Sequence, residues 1–332
     1  MARYGCVEAG GTKFICAVAD EAGTIEAEVR IPTTTPEETL GQALRFFQAQ
    51  HAAGNEALRS LGIACFGPVD LQVDSPTFGM ITATPKAGWR MTPVRRFFQE
   101  GLGIPVGFDT DVNGAALAEG AWGAGKGLHD FVYVTIGTGI GGGAVVGGHA
   151  VHGAMHPEMG HMRVPHDRER DPFAGICPFH RDCWEGLCSG PALHARYGEA
   201  AENWPEDHPG WELAAEYTAL AVQNILCTLS PQRILLGGGV MQQARLFPIL
   251  RQKTAALLNG YLSAAATAAD LETVIMPPAL GSRAGILGGL VLIGSLAYFA
   301  LVNLAIMPAL GGGPDLERFS GVAATGQTGF TA

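Results

Sequence analysis

Short apolar runs, broken by glycine and separated by amphipathic stretches, set the pattern of this chain. Tyr4–Ala9 and Phe14–Ala19 read as two strands joined by Gly10-Gly11-Thr12-Lys13, a hairpin with a glycine turn. Thr24–Ile31 is a third strand. Thr34-Thr35-Pro36-Glu37-Glu38 then puts proline and acids into the first turn of an amphipathic helix that runs to about His51. Leu61–Phe66 is a strand of the buried type, Gly79–Pro85 a threonine-rich one, Arg90–Glu100 a short helix and Val106–Phe108 another strand, ahead of an alanine-rich helix over Gly114–Gly120. The second half repeats the scheme: strands over Phe131–Ile136 and Ala144–Gly148, a helix opened by Ser189-Gly190-Pro191, a long helix over Gly210–Ser230, a strand over Arg233–Leu236 and a helix over Phe247–Tyr261. Strands alternating with helices predict an α/β chain.

With 332 residues the chain can form two domains with separate cores, and two domains imply a cleft. Charged residues are 16% and hydrophobic ones 47%, which excludes a disordered chain. The net charge of -10 and the absence of any basic run argue against nucleic acid as a main partner. Seven cysteines, an odd number, lie partly inside apolar runs such as Gly62-Ile-Ala-Cys65-Phe66; this is reduced, cytoplasmic usage. Met-Ala-Arg-Tyr-Gly passes directly into a strand with no export signal. Between Arg283 and Asp315 there is no charge, and Ala284–Leu310 is long enough to cross a bilayer. Pro308 and several glycines weaken a spanning helix there, so the expectation is a protein that is not membrane-attached.

Candidate chemistry gathers at strand ends. Gly10-Gly11-Thr12-Lys13 can aim backbone N–H groups, a hydroxyl and a charge at an anion, with Glu8 placed to hold a water on Mg2+; an ordinary hairpin fits the same residues. Gly67-Pro68-Val69-Asp70 follows a strand's C-terminal end, where open α/β sheets place ligands. Trp89 fits a sugar-stacking wall or plain packing. Asp111, between a strand and a helix, fits a cleft-facing base or a helix N-cap. Gly137-Thr138-Gly139-Ile140-Gly141-Gly142-Gly143 formally contains the dinucleotide fingerprint of an NAD-dependent oxidoreductase. That fingerprint requires a helix next, and a strand follows, which favours a second phosphate-gripping hairpin. Gly237-Gly238-Gly239 would let a flat ring lie against the backbone.

The densest cluster runs from Glu158 to Glu185. His161, Cys177, His180 and Cys183 lie in a polar loop, and the Cys-x2-His-x2-Cys run with a distant histidine suits tetrahedral Zn2+. No ligand position remains for water, so such a zinc would be structural. Glu158 and Glu185 flank the ligands, and tying both ends of the loop to one metal would hold two carboxylates at fixed separation, as hydroxyl-rich substrates require. Unrelated thiols and a surface histidine are the alternative.

These motifs together resemble the bacterial sugar kinases of the ROK type (repressor, open reading frame, kinase), within the hexokinase/actin-like superfamily. Glu8-Ala-Gly-Gly-Thr-Lys13 resembles the first phosphate loop, Thr135-Ile-Gly137-Thr138-Gly139-Ile-Gly-Gly142 the second, and Leu236-Gly-Gly-Gly-Val240 the adenosine motif. Glu158-x-x-His161 to Cys183-x-Glu185 resembles the zinc module. Glu8 where most members have Asp, Cys-x2-His-x2-Cys in the zinc module, and Thr84-Pro85-Lys86-x-Gly88-Trp89 are similar to the fructokinase subgroup.

The resemblance implies an α/β, two-domain hexokinase/actin-like (ribonuclease H-like) fold with an interdomain cleft, and transfer of the ATP γ-phosphate to O6 of fructose. Asp111 would be the general base; Gly67, Pro68, Asp111, Glu158, His161 and Glu185 would contact the sugar. Glu8, Gly10, Gly11, Thr12, Lys13, Thr135, Gly137, Thr138, Gly139, Gly237, Gly238 and Gly239 would hold ATP and Mg2+. The implied domains are 1–112, closed by a helix near 284–296, and 113–283 with the zinc loop, followed by an atypical tail over 297–332; the expected assembly is a homodimer. Thr110 stands where many members have a sugar-binding Asn, which puts glucose-type recognition in doubt, and Ser282 replaces a usual acidic residue; a glucokinase, mannokinase or N-acetyl amino-sugar kinase of the same family, or a non-catalytic sugar-sensing relative, is the alternative. A sugar-sensing regulator would carry a DNA-binding domain ahead of the phosphate hairpin, which here begins at residue 4.

Overall fold

The computed structural model describes residues 2–53, 56–265 and 267–293. The tail expected over 297–332, and most of the apolar stretch 284–310, lie outside them. Of the described residues, those within 2–122, 149–156 and 282–293 form one unit, and those within 123–148 and 157–281 form a second.

The first unit is built on β1 (Arg3–Ala9), β2 (Lys13–Ala19), β3 (Ile25–Pro32), β4 (Leu58–Cys65) and β5 (Val106–Thr110). They form one sheet in the order β3-β2-β1-β4-β5. β1, β2 and β3 are antiparallel, while β4 and β5 run parallel to β1. Alternate side chains of these strands, among them Val7, Phe14, Cys16, Val18, Leu61 and Ile63, make one buried layer. Against it pack α1 (Pro36–Ala53), through Leu40, Ala43 and Phe47, and α2 (Val94–Leu102), through Val94 and Phe98. On the opposite face the alternation brings up glycine. Gly62 and Gly107 lie against backbone oxygens of Gly289 and Leu292 in α8, the helix over 284–293, and any side chain at Gly62 would overlap the Gly289 carbonyl.

Helix α3 (Asp111–Trp122) belongs to this unit as well, because Gly114 fits directly over Ala64 of β4. The first boundary therefore falls after Trp122, not at 112, and His149–His156 rejoin the first unit. Three expected elements differ. Gly79–Pro85 forms no strand: Ile81 alone makes isolated bridges, to Val69 and Thr92, and the Thr82 N–H goes to Pro68 O instead of a sheet neighbour. α2 starts at Val94, not Arg90, since Met91 is left-handed (φ 59°) and Pro93 bars helical geometry from the residue before it. α3 starts at Asp111 because the Thr110 hydroxyl already accepts the Asn113 N–H, 3.1 Å away, as an N-cap.

The second unit carries β6 (Phe131–Ile136), β7 (Ile140–Val146), β9 (Arg233–Gly237) and β10 (Ile275–Met276) in the order β10-β9-β6-β7; β8 is the two residues His149–Ala150 of the first unit. β7 folds back antiparallel on β6, with Ile136 paired to Ile140. A strand therefore follows the glycine run, and the dinucleotide reading falls away. Helices α4 (Trp184–Cys188), α5 (Gly190–Tyr197), α6 (Pro209–Leu229) and α7 (Leu246–Leu258) complete the unit. Trp211, Ala214, Ala215, Thr218, Val222 and Ile225 form the buried side of α6. Among the described residues no helix is long and apolar enough to cross a membrane.

Candidate functional site

In the first unit the β1–β2 hairpin is tightly closed. The Gly10 N–H donates to Lys13 O at 3.0 Å, so close that a Cβ on Gly10 would meet that oxygen at 2.8 Å. Thr33 straps the hairpin from outside: its hydroxyl donates to Gly10 O (2.7 Å) and its N–H to Thr12 O (3.0 Å). Thr12 and Lys13 stay exposed. Glu8 points from β1, and its Oε2 is buried without a hydrogen-bond partner among the described residues. Burial pushes the Glu8 carboxyl above its usual range, while Lys13 pulls the other way. Gly285 leaves the room this carboxylate occupies.

Gly67 and Pro68 follow β4, where the Phe66 N–H donates to Ala9 O at 2.7 Å and carries the ladder one residue past the strand. Trp89 is fully buried between Phe14 and Phe66, with centroids at 5.5 and 5.4 Å, and donates its indole N–H to Thr34 O (2.8 Å). It is packing, not a sugar-stacking wall.

Asp111 is the first residue of α3, half-buried, with Oδ1 accepting the Val112 N–H at 2.9 Å. The strand–helix junction around it is locked from both sides. Thr110 caps the helix, and Asp109, fully buried at the end of β5, accepts from the Thr110 N–H (2.6 Å), Asn113 Nδ2 (2.8 Å) and His152 Nε2 (3.0 Å). The helix cap is supplied by Thr110 rather than by Asp111. Its negative charge is also felt by the buried Cys65, whose thiol is raised first by burial and then by Asp111.

In the second unit the β6–β7 turn has the Gly137 N–H donating to Gly139 O (2.8 Å), and Gly137 O accepts the Gly190 N–H (2.7 Å) from the start of α5. Thr135 is half-buried at the end of β6, beside Gly237 of β9. Gly238 is left-handed (φ 88°), and a side chain there would overlap the Ile136 backbone. Gly239 has open space where a Cβ would be.

His161, Cys177, His180 and Cys183 converge, and one ligating atom from each lies within 4.8 Å of all the others. Cys177 Sγ is 3.6 Å from His161 Nδ1 and 3.7 Å from His180 Nδ1, and Cys183 Sγ is 3.5 Å from His161 Nδ1. Both sulfurs belong to buried residues, and burial pushes the Cys183 thiol up to about 12. Behind the cluster, Asp171 accepts from Tyr217 Oη (2.6 Å) and Arg196 Nη2 (3.0 Å), while Asp182 is held by Arg163, Arg168 and His166. Glu158 and Glu185 stand close enough to interact: burial first, then Glu185, raises the Glu158 carboxyl to about 7. Glu185 Oε2 also accepts the Ile140 N–H at 2.9 Å, and a Cβ on Gly139 would crowd that oxygen at 2.7 Å. One carboxylate thus joins the metal-type loop to the glycine hairpin.

With this geometry in hand, the ROK family model matches residues 4–295. The chain belongs to the ROK family. A fructokinase of Zymomonas mobilis is 46% identical over 292 residues, covering 87% of this chain and 95% of its own length. A fructokinase of Pediococcus pentosaceus is 40% identical over 299 residues, 90% of this chain and 99% of its own. Among solved structures, the ROK hexokinase of Thermus thermophilus superimposes with a TM-score of 0.70 at 25% identity, covering 87% of this chain and 97% of that one. The fold of this ROK-family chain is accordingly the two-domain hexokinase/actin-like one.

The sequence motifs of this ROK member miss four polar side chains that the structure places around them: Thr33, Asp109, His152 and His156. His152 and His156 reach groups 43 and 87 residues away, a separation that no local pattern encodes.

Proposed function

We propose that this chain is a fructokinase that transfers the γ-phosphoryl of ATP to O6 of fructose. The observation that supports it most is similarity to fructokinases over nearly their whole length. Asp111 is the general base: it takes the proton of the attacking hydroxyl, and its junction is held by Asp109, Thr110 and Asn113 so that the acceptor oxygen needs no search. Gly67, Pro68, Glu158, His161 and Glu185 orient the sugar. The two glycine hairpins, Gly10–Lys13 and Gly137–Gly139, bind phosphate oxygens through backbone N–H groups, and Gly237–Gly239 takes the adenine ring, with open space at Gly239. The tight Thr110 cap, in place of the amide side chain common in the family, supports fructose over an aldohexose.

Two metals belong to this reading. Glu8, with a buried oxygen that has no hydrogen-bond partner among the described residues, fits a Mg2+ or its bound water, and Mg2+ would supply neutralisation of the phosphate charge. The Cys177, Cys183, His161 and His180 set fits Zn2+: bonds of about 2.0–2.3 Å in a tetrahedron put neighbouring donors about 3.5 Å apart, and three donor pairs here lie at 3.5, 3.6 and 3.7 Å. Such a zinc is structural, all four positions being filled by protein. The proposed enzyme is a cytoplasmic homodimer, and sedimentation equilibrium tests the assembly.

The deciding experiment is ADP release from Mg-ATP with fructose, glucose, mannose and N-acetylglucosamine in parallel, on protein assayed for zinc. Fructose should be preferred; a zinc-loaded chain that turns over no sugar, or prefers another, overturns the assignment. Asp111→Asn should lower kcat by about 10²–10⁴ with fold and zinc retained.

A further inference from the structure

We propose that His152 and His156, four residues apart in Val151-His152-Gly153-Ala154-Met155-His156, are positioning residues: His152 sets the aim of Asp111, and His156 sets the Gly67–Pro68 loop. The inference rests on the reading of Asp111 as the base and of Gly67–Pro68 as sugar-contacting. It assigns work to two side chains outside every motif described above.

The segment is pinned to the first unit at three points. His152 Nε2 lies 3.0 Å from Asp109 Oδ2, Gln72 Nε2 donates to Gly153 O at 2.6 Å, and the Val69 N–H donates to His156 Nε2 at 3.1 Å. Both imidazoles are buried, His156 at 5% exposure and the His152 side chain at 5%. Their chemistry is opposite. A carboxylate can only accept, so His152 carries its proton on Nε2 and donates. A backbone N–H can only donate, so His156 has a bare Nε2 and accepts.

What each histidine holds then follows. Asp109 is fully buried and takes the His152 proton on one oxygen, while its other oxygen takes Asn113 Nδ2 and the Thr110 N–H. That grip spans the end of β5 and the first turn of α3, with Asp111 enclosed between residues 109 and 113. If the His152 donor is lost, Asp109 keeps its charge in a dry site with one bond fewer, and the junction rearranges to solvate it. Asp111 is then displaced, and the reacting hydroxyl is affected without direct contact. His156 instead caps Val69, the residue after Pro68, and its Cε1 lies 3.4 Å from the Cβ position of Gly67. It acts on the loop's shape, hence on sugar affinity.

The test uses shortened and matched side chains in the full-length, zinc-loaded protein. Asparagine places its amide near Nδ1 and cannot reach the Nε2 partner; glutamine reaches it and has both a donor and an acceptor. His152→Asn should lower kcat by about tenfold or more, with KM for fructose within about twofold, and His152→Gln should recover most of kcat. His156→Asn should raise KM for fructose roughly fivefold with kcat nearly kept, and His156→Gln should restore it. Asp109→Asn, which preserves side-chain shape, should mimic His152→Asn and combine with it non-additively; it also serves if His152→Asn does not fold. Asparagine forms with unchanged kcat and KM, or with both constants changed alike in step with the thermal midpoint, would overturn the proposal. Wild type and Asp111→Asn run beside them: if Asp111→Asn stays active, the base assignment has failed instead.

Discussion

Two carboxylates two residues apart behave differently because Asp109 lies in β5 while Asp111 begins α3, so the change from strand to helix parts them. Asp109 faces inward and is saturated by donors, whereas Asp111 begins a helix whose cap is already supplied by Thr110. Glu185 shows a second kind of residue-level constraint. Its Oε2 accepts the Ile140 N–H, and the only small enough neighbour at residue 139 is glycine. Gly139→Ala should force that carboxylate aside: the chain stays folded, with the thermal midpoint lowered by no more than a few degrees, and kcat/KM for fructose falls about tenfold or more. Steady-state kinetics beside a thermal melt checks it, and an alanine form with wild-type kinetics would refute the link between carboxylate and hairpin.

At the scale of elements, the loop from Glu158 to Glu185 is held by two devices. One, on the proposed reading, is zinc held by His161, Cys177, His180 and Cys183. The other is the buried pair Arg196–Asp171, with 6% and 9% side-chain exposure, reinforced by Tyr217. Removing zinc with a chelator should leave the two sheets intact while loosening this loop, seen as faster amide exchange over 158–185 and weaker fructose binding. Unchanged exchange after metal loss would count against the structural zinc. Arg196→Met strands the Asp171 carboxylate in a dry site and should cost about 3–5 kcal/mol by denaturant titration, far more than loss of the exposed Arg96–Glu100 pair. The loop was legible in the sequence as a Cys/His cluster because Cys-x2-His-x2-Cys is local. The network behind it was not, since Asp171, Arg196 and Tyr217 are separated by 25 and 46 residues from one another's side chains.

For the whole molecule, the first sheet is finished by a helix that arrives after the second unit has been completed. α8 lies so close to β4 and β5 that glycine is required at Gly62 and Gly107. Gly62→Ala should destabilise the protein by at least about 3 kcal/mol, a cost larger than that of ordinary overpacking, because the obstacle is backbone and cannot rotate away. A melt within two or three degrees of wild type would show that α8 yields easily. The same non-local closure explains why the boundary lies at Trp122: α3 packs on β4 through Gly114, although its sequence begins where the second domain was expected.

By itself the sequence determined the α/β class, both glycine hairpins, the four metal-type ligands and the family, because each is written in local periodicity or fixed spacing. Tertiary structure alone decided which groups stand behind those motifs. Thr33 on the first hairpin, Asp109 and His152 beside Asp111, His156 beside Gly67–Pro68 and Glu185 on Ile140 are brought together by chain crossings. It also turned Gly79–Pro85 from a strand into a loop and decided for packing at Trp89. The physical reason is that local patterns encode which face of an element is apolar, whereas partners for buried polar groups are chosen only once distant segments have packed.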